Sequence, residues 1–391
     1  MRAVIATRLF PPEVGAAAFR LRALARGLDD AGASVRVITT TPPSGPADDG
    51  PIDVRRAPVL RDPGGNVRGY VQYLSFDVPL FFRLLVTPGD VVVAEPPPTT
   101  GAVVAVCSLL RRRPFVYYAA DVWSDAVAAT GASGVVARVL RAVEAWVLRR
   151  AARVVAVSPE VADRVADLGA ARERITVAPN GVDTDVFQVG DERRPSSPTF
   201  VYTGTMSEWQ GASIFIDALE LVRRDHPDAT LHFYGQGSDE ANLRTRAARL
   251  PQDAVSFHGV VPPAVAAERL RTSTAALASI VPGLGYDFAK PTKIYAAAAC
   301  GAPIVFAGAI DGAGSRLIDD AALGWAPGYD ADAVAEAMRA AIAADGADER
   351  TVRRAARADW VERNASLART GRIAAAAVLD TATGRRRAQS A

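Results

Sequence analysis

Thr199-Phe200-Val201-Tyr202-Thr203 is a β-branched and aromatic run that stops on Gly204-Thr205-Met206. Such a run, closed by a glycine, reads as a buried strand with a tight turn at its end. The pattern then repeats. A helix-patterned stretch at 211–223 leads to a strand at 230–234, closed by Gly235-Gln236-Gly237. A helix at 239–248 leads to a strand at 254–258, closed by Gly259-Val260-Val261. Helix 263–271, strand 275–279, helix 291–299, strand 303–307 and helix 331–343 continue the series, and a helical region runs from 348. Short strands alternating with helices predict a parallel sheet with helices on both faces.

The same alternation runs through the first half. Strands are predicted at 4–6, 35–40, 90–94, 115–119 and 154–157, with helices at 16–31, 100–110 and 135–150 and one opened by Ser158-Pro159. Between the halves, residues 191–198 (DERRPSSP) are charged, then Ser/Pro-rich, and read as a linker. The fold class is therefore α/β, with two Rossmann-like doubly wound domains facing across a cleft. The expected bounds are residues 1–187 with a C-terminal helix at 358–380 crossing back, residues 188–357, and a frayed basic tail at 381–391. Ligands of such folds bind at the carboxyl ends of the strands.

Composition narrows the function. Of 391 residues, 49% are hydrophobic and 23% charged, which fits a well-cored globular protein rather than a disordered or fibrous one. A net charge of +2 argues against nucleic acid as a partner. Two cysteines, Cys107 and Cys300, make no disulfide framework and point to a reducing compartment. The opening MRAVIATRLFPPEVG lacks the apolar core of an export signal, and no apolar run approaches the ~20 residues of a membrane span, so a cytoplasmic protein is expected. All basic residues are arginine except Lys290 and Lys293. Two neighbouring lysines in such a chain suggest a site that wants a compact ammonium, codon bias being the alternative.

Three successive strands of the second half end in glycine, so one rim of that sheet is predicted to be exposed backbone suited to a phosphate and a flat base. The first strand–helix junction, Phe10-Pro11-Pro12-Glu13-Val14-Gly15-Ala16, places a small residue before a helix, where phosphate can reach backbone amides. Other constellations carry no chemistry. His226, His232 and His258 lack metal-ligand spacing, and the two at strand positions read as hydrogen-bonded interior imidazoles. Asp183-Thr184-Asp185 reads as part of a turn, and neither a P-loop nor a nucleophile elbow occurs.

At these motifs the chain resembles the family-4 glycosyltransferases of the GT-B fold, retaining enzymes that use nucleotide sugars. The resemblance rests on FPPEVG, Val177-Ala178-Pro179-Asn180-Gly181-Val182-Asp183 with Phe187, FVYTGTM, FYGQG, FHGVV and KPTKIYAAAACGAP at 290–303. It covers nearly the whole chain. The nearest subgroup is one of bacterial sugar transferases with a P-S-K-like helix start, here Pro291-Thr292-Lys293, and an RDLWP-like strand end, here Ala120-Asp121-Val122-Trp123-Ser124-Asp125. The resemblance implies a metal-independent transfer from a nucleotide-diphosphate sugar, UDP being the commonest family donor, to a small-molecule or glycan acceptor, with no cofactor. It implies that Gly15, Gly204, Thr205, Gln210, Gly235, Gly259, Val260, Lys290, Thr292 and Lys293 hold the donor and its phosphates. Asp121 and Lys293 would be catalytic, Glu13, Trp123 and Asn180 would serve acceptor or hinge, and no metal would be bound. Negative charge grows on the departing phosphate, and an ammonium at a helix N-terminus would stabilise it.

The chain also departs from the family. The usual E-x7-E pair falls on Phe288 and Ala296, and the usual K-G pair reads Gln210-Gly211, as the P-S-K subgroup often has it. Asp287, Tyr286 or Ser315-Arg316 are the candidates to replace the glutamates. The departures keep two alternatives open, a nucleotide-sugar epimerase on the same fold and a non-catalytic nucleotide-sugar-binding subunit. The aromatic-rich stretch 67–85 reads as buried in the first domain or in a subunit interface, with insertion at a membrane surface as the alternative, and the Arg-rich helix at 139–153 fits an anionic surface or a soluble acceptor equally; a homodimer stays open as well.

Overall fold

The structure, a computed structural model, describes residues 1–13, 15–43, 51–62, 65, 67, 69–124, 134–192, 195–344 and 347–390. Val14, Arg68 and Asp125 of the motifs above lie outside the described residues. The chain forms two compact units, Met1–Asn180 with Leu367–Ala391, and Gly181–Ser366.

The first unit holds a parallel sheet of β1 (Arg2–Ala6), β2 (Ser34–Thr40), β3 (Asp53–Ala57), β4 (Val91–Ala94), β5 (Phe115–Ala119), β6 (Arg153–Ala156) and β7 (Ile175–Val177), in the order β3-β2-β1-β4-β5-β6-β7. Its helices are α1 (Ala16–Asp30), α2 (Tyr70–Val86), α3 (Pro98–Leu110), α4 (Gly134–Arg150) and α5 (Pro159–Asp167). The central strands β4 and β5 are buried at every residue, as covered parallel strands must be. Edge strand β3, DVRRA, has no buried residue, and the sequence pattern misses it for that reason. Asp53 is held there by Arg36 (2.6 Å) and Arg55 (2.7 Å). Ser158 caps α5 by accepting the Val161 amide at 3.1 Å, with Pro159 in the first turn.

The second unit holds β8 (Thr199–Thr203), β9 (Thr230–Tyr234), β10 (Val255–Phe257), β11 (Ala275–Ser279), β12 (Ile304–Ala307) and β13 (Gly324–Trp325), in the order β10-β9-β8-β11-β12-β13. Its helices are α6 (Ser213–Val222), α7 (Glu240–Ala247), α8 (Pro263–Thr272), α9 (Thr292–Ala299), α10 (Ala313–Asp320), α11 (Ala331–Ala343) and α12 (Ala347–Ala365). One core cluster joins Tyr202, Phe215 and Phe233 to α11, and another joins Val201 and Phe306 to α8 and α9. The alanines of α9 are all buried, which lets α12 approach closely.

The bounds differ from those read in the sequence. The chain leaves the first unit after Asn180, at the PNGVD turn, and returns at Leu367. Val182 donates its amide to Ala365 (2.9 Å) and bridges Ser366, so the two crossings are tied together. Residues 191–198, read as a linker, fall inside the second unit, where Glu192 pairs with Arg271 of α8 at 2.5 Å. Arg193 and Arg194 of that stretch are outside the described residues. The returning segment is a separate helix, α13 (Leu367–Ser390), which packs on α1 where Gly27 meets Gly371. A Cβ on Gly27 would sit 2.9 Å from the Gly371 carbonyl oxygen, so the close approach requires glycine. The tail expected to fray from 381 continues this helix to Ser390. Alanine and arginine favour helix, and Gly384 is the sole breaker there.

Candidate functional site

In the second unit the strand order reverses between neighbours β8 and β11. Ligands of doubly wound sheets sit outside the carboxyl ends at such a reversal. Strand β8 delivers Gly204 and Thr205 to this place, both exposed, and the segment after β11 leads into α9. Lys293, in the first turn of α9, places its Nζ 3.5 Å from the centre of the Tyr202 ring. The ammonium donates to the Thr205 carbonyl at 3.3 Å, and the Tyr202 hydroxyl donates to the same oxygen at 3.0 Å. Desolvation in these surroundings holds the amine well below the ordinary lysine pKa, although the side chain as a whole is half-buried and keeps some contact with solvent. Among the described residues no carboxylate pairs with it. A desolvated ammonium without a counter-ion among the described residues, on an aromatic face and carried by the first turn of a helix, attracts an anion.

The glycine rim lies beside this amine. Gly204 donates to the Tyr234 carbonyl (2.8 Å), Met206 to Gln236 (3.1 Å) and Gly235 to Gly259 (2.7 Å). Gly235, at φ +142°, lies so close to the Gly204 carbonyl that a Cβ would overlap it. Gly259 has φ +66° with open space around it, and Val260 after it is 64% exposed. Gln210 is buried, and its amide oxygen accepts from the Thr205 hydroxyl and the Ser207 amide, both at 3.2 Å. Its acceptor is thus used within the loop that presents Thr205. Thr292 is exposed in the first turn of α9.

Lys290 is placed differently from Lys293. It lines a hollow of about 240 Å³ with Arg316, Leu317, Asp320 and Trp360, and Lys293 is not among the walls. Phe288 is 49% exposed and Ala296 is buried, so neither position of the missing glutamate pair holds a polar group. Tyr286 stacks on Trp209 at 4.7 Å, the Ser315 hydroxyl donates to the Ala309 carbonyl at 2.6 Å, and Arg316 donates to the Asp311 carbonyl. Asp287 accepts the Gly283 amide on Oδ2 (3.1 Å), while its buried Oδ1 has no hydrogen-bond partner among the described residues.

In the first unit the reversal falls between β1 and β4. Here Arg20 of α1, an arginine on the buried face of an amphipathic helix, pairs with Glu95 at 2.5 Å. It also donates to Asn180 Oδ1 at 3.2 Å, and Thr7 donates to the other Glu95 oxygen at 3.0 Å. Asp121, just past β5, keeps solvent contact but is crowded by protein. Burial, with Glu144 and Glu95 nearby, outweighs the Arg20 charge and pushes its pKa up to about 6. Trp123 meets Tyr73 edge-on at 5.7 Å, and the Arg8 guanidinium lies 4.2 Å over the Tyr73 ring.

Glu144 of α4 fixes the segment after Asp121. Its buried carboxylate accepts the amides of Trp123 (3.0 Å) and Ser124 (2.9 Å). Glu13 pairs with Arg61 (2.8 Å) and accepts from Thr40 (3.1 Å). Gly15 caps α1 with extended backbone, and a Cβ there would meet nothing within 4 Å. The structure thus brings Lys293, Gly204, Thr205, Gly235 and Gly259 together in one unit, and Asp121, Trp123 and Asn180 in the other around Arg20, Glu95 and Glu144. Those last three were not singled out in the sequence. Their signal is a charge set in an apolar helix stripe (Arg20, Glu144) or at the end of a buried strand (Glu95).

The strand histidines are not both interior, since His232 is only half-buried. His258 is exposed rather than interior, stacked on Tyr234 at 4.4 Å and 3.0 Å from His232 between ring nitrogens. It follows the last residue of a short edge strand, where no layer covers it. Asp183 and Asp185 form a turn, with the Asp185 amide donating to Asp183 Oδ1 at 3.1 Å.

Residues 17–186 match the family model described as Glycosyltransferase Family 4, and residues 197–344 match that described as Glycosyl transferases group 1. A glycogen synthase of Mycobacterium tuberculosis is 30% identical over 119 residues, covering 30% of this chain and 29% of that protein. A D-inositol 3-phosphate glycosyltransferase of Paenarthrobacter aurescens is 31% identical over 185 residues, covering 44% of each. The chain therefore spans less than half the length of these relatives. Among solved structures, HepE of Anabaena in complex with UDP and glucose superposes with a TM-score of 0.68 at 18% identity, covering 95% of this chain and 97% of that one.

Proposed function

Because the chain belongs to the family-4 glycosyltransferases and has their GT-B fold, we propose that it moves a sugar from a nucleotide-diphosphate sugar to an acceptor hydroxyl. The configuration at the anomeric carbon is retained and no metal ion is used. The observation that carries this reading is the Lys293 ammonium over Tyr202, without a counter-ion among the described residues, at the reversal of the second sheet. A diphosphate entering there supplies the missing charge and reaches the first-turn amides of α9. As the bond from the anomeric carbon to the β-phosphate oxygen breaks, charge gathers on that oxygen, and a preorganised cation stabilises it most at that moment. The acceptor oxygen bonds the same carbon from the same face, and its proton passes to the departing phosphate.

Gly204, Gly235, Gly259 and Val260 present backbone to the nucleotide, Gln210 holds the Thr205 loop, and Thr292 lies beside the phosphates. Asp287, with an unused carboxylate oxygen, takes the place of the absent glutamates toward the donor sugar. UDP is the proposed nucleotide, since the structurally similar HepE holds UDP. The first unit carries the acceptor, a natural product, polysaccharide or lipid-linked saccharide. Trp123 and Tyr73 offer a sugar-stacking wall, and Asp121 orients a hydroxyl. Turnover of radiolabelled nucleotide sugar with an acceptor pool tests this. Product that forms only with acceptor and is lost in Lys293→Ala supports it; isomerised donor without acceptor marks an epimerase, and equal turnover by the variant removes Lys293 from the chemistry.

A further inference from the structure

Nineteen large apolar side chains are exposed among the described residues, and twelve of them lie on α2, α3 and α4. These helices are neighbours, since α3 packs against both of the others. On α2 the exposed set is Tyr70, Val71, Leu74, Val78, Phe82 and Val86, spaced three and four apart along most of the helix. Such spacing makes one continuous stripe. The carboxyl ends of α2 and α3 lie side by side. The Cys107 thiol approaches the Phe81 carbonyl at 3.5 Å, and the buried Arg113 donates to the carbonyls of Leu84 (2.8 Å) and Thr87 (2.9 Å). Val86 (80% exposed) stands at the end of α2, and Leu109 and Leu110 (60% and 59%) stand at the end of α3.

The charge on this surface has one sign. Among the residues of α2, α3 and α4 the acids are Asp77 and Glu144, and both are buried. Every exposed charge there or directly following α3 is an arginine: Arg111, Arg112, Arg138, Arg141, Arg149 and Arg150. An apolar stripe on helices whose own exposed charges are all cations differs from a core face awaiting a second copy. A two-fold contact would set arginine against arginine, and like charges opposed across an interface are costly. An anionic lipid surface satisfies both features at once. Apolar side chains enter the acyl boundary while arginines meet phosphate headgroups. No helix among the described residues is long and apolar enough to cross a membrane, so the contact is interfacial.

We propose that the α2–α3 face of the first unit docks on an anionic lipid bilayer. The inference is independent of the transferase reading. Its test is co-sedimentation of the full chain with vesicles of phosphatidylcholine containing 30 mol% phosphatidylglycerol (roughly the anionic content that attracts polybasic surfaces), against vesicles of phosphatidylcholine alone. The chain should sediment with the anionic vesicles, and high salt should release it. Two variants at exposed positions, Phe82→Asp with Val86→Asp and Arg111→Glu with Arg112→Glu, should each lower partition about tenfold or more. Their melting temperatures should match the wild type, which separates docking from folding. Failure to bind anionic vesicles, binding unaffected by either variant, or a dimer in sedimentation equilibrium that the Phe82 variant dissolves would overturn the proposal.

Discussion

The Lys293 ammonium lies 3.5 Å from the centre of the Tyr202 ring, and both residues donate to the one carbonyl oxygen of Thr205. The amine is desolvated and has no anionic partner among the described residues, so its charge costs the folded protein free energy. The sign follows from linkage. With the folded pKa below the unfolded one, the unfolded chain binds more protons between the two values, and stability rises with pH across that window. Lys293→Met should therefore be more stable than wild type at neutral pH. The difference should shrink as pH rises past the depressed pKa toward that of a free lysine. Urea unfolding of both proteins at several pH values measures this.

Gly235 and Gly259 end adjacent strands but carry different demands. A Cβ on Gly235 would overlap the Gly204 carbonyl, and Gly235→Ala should cost about 2 kcal/mol or more and move the rim. Gly259 sits at φ +66° in open space, so Gly259→Ala should cost about 1 kcal/mol with little displacement. Denaturant midpoints of the two variants give the comparison, and similar losses would contradict the interlocked backbone.

Asp121 should set an acid limb in the pH–rate profile near its raised pKa of about 6. Asp121→Asn should abolish that limb together with most of the turnover. The carboxylate also bears on stability. Its folded pKa exceeds the unfolded one, so stability present at low pH is lost as pH rises through about 6, and the Asn variant should escape that loss. Turnover and chemical denaturation between pH 4 and 8 measure the two effects separately.

Glu144 acts on Asp121 in two ways. It holds the amides of Trp123 and Ser124, and its charge raises the Asp121 pKa. Glu144→Gln keeps the shape but removes the charge and sets an amide NH2 against one of the two backbone donors. It should cost about 1–3 kcal/mol and shift the acid limb of the rate profile downward. An unmoved limb would show that the Glu144 charge does not reach Asp121.

Much of the architecture was legible because it is written in burial. Strands Phe115–Ala119, Thr199–Thr203, Thr230–Tyr234 and Ala275–Ser279 are apolar runs whose ends the pattern places to the residue. Edge strand β3 escaped because it is charged and has no buried residue, and β7 and β13 because three and two half-buried residues are too short to show a pattern. The rarity of lysine and the glycine strand ends mark Lys293, Gly204 and Thr205 separately in the sequence, and the family resemblance groups them in one site. The Arg20–Glu95 pair and the Glu144 clasp were not, because only the fold brings residues 75 and 20 positions apart into contact. Lys290 was grouped with Lys293 by spacing alone, yet the start of α9 sends the two toward different surroundings.

If Lys293 neutralises a bound diphosphate, calorimetric titration of UDP, GDP, ADP and TDP into wild-type protein and into Lys293→Ala will show it. At least one nucleotide should bind the wild type, with affinity reduced roughly 10- to 100-fold in the variant, as loss of a charged hydrogen bond implies. Equal affinity in the two proteins, or no binding of any nucleoside diphosphate to the wild type, would contradict it.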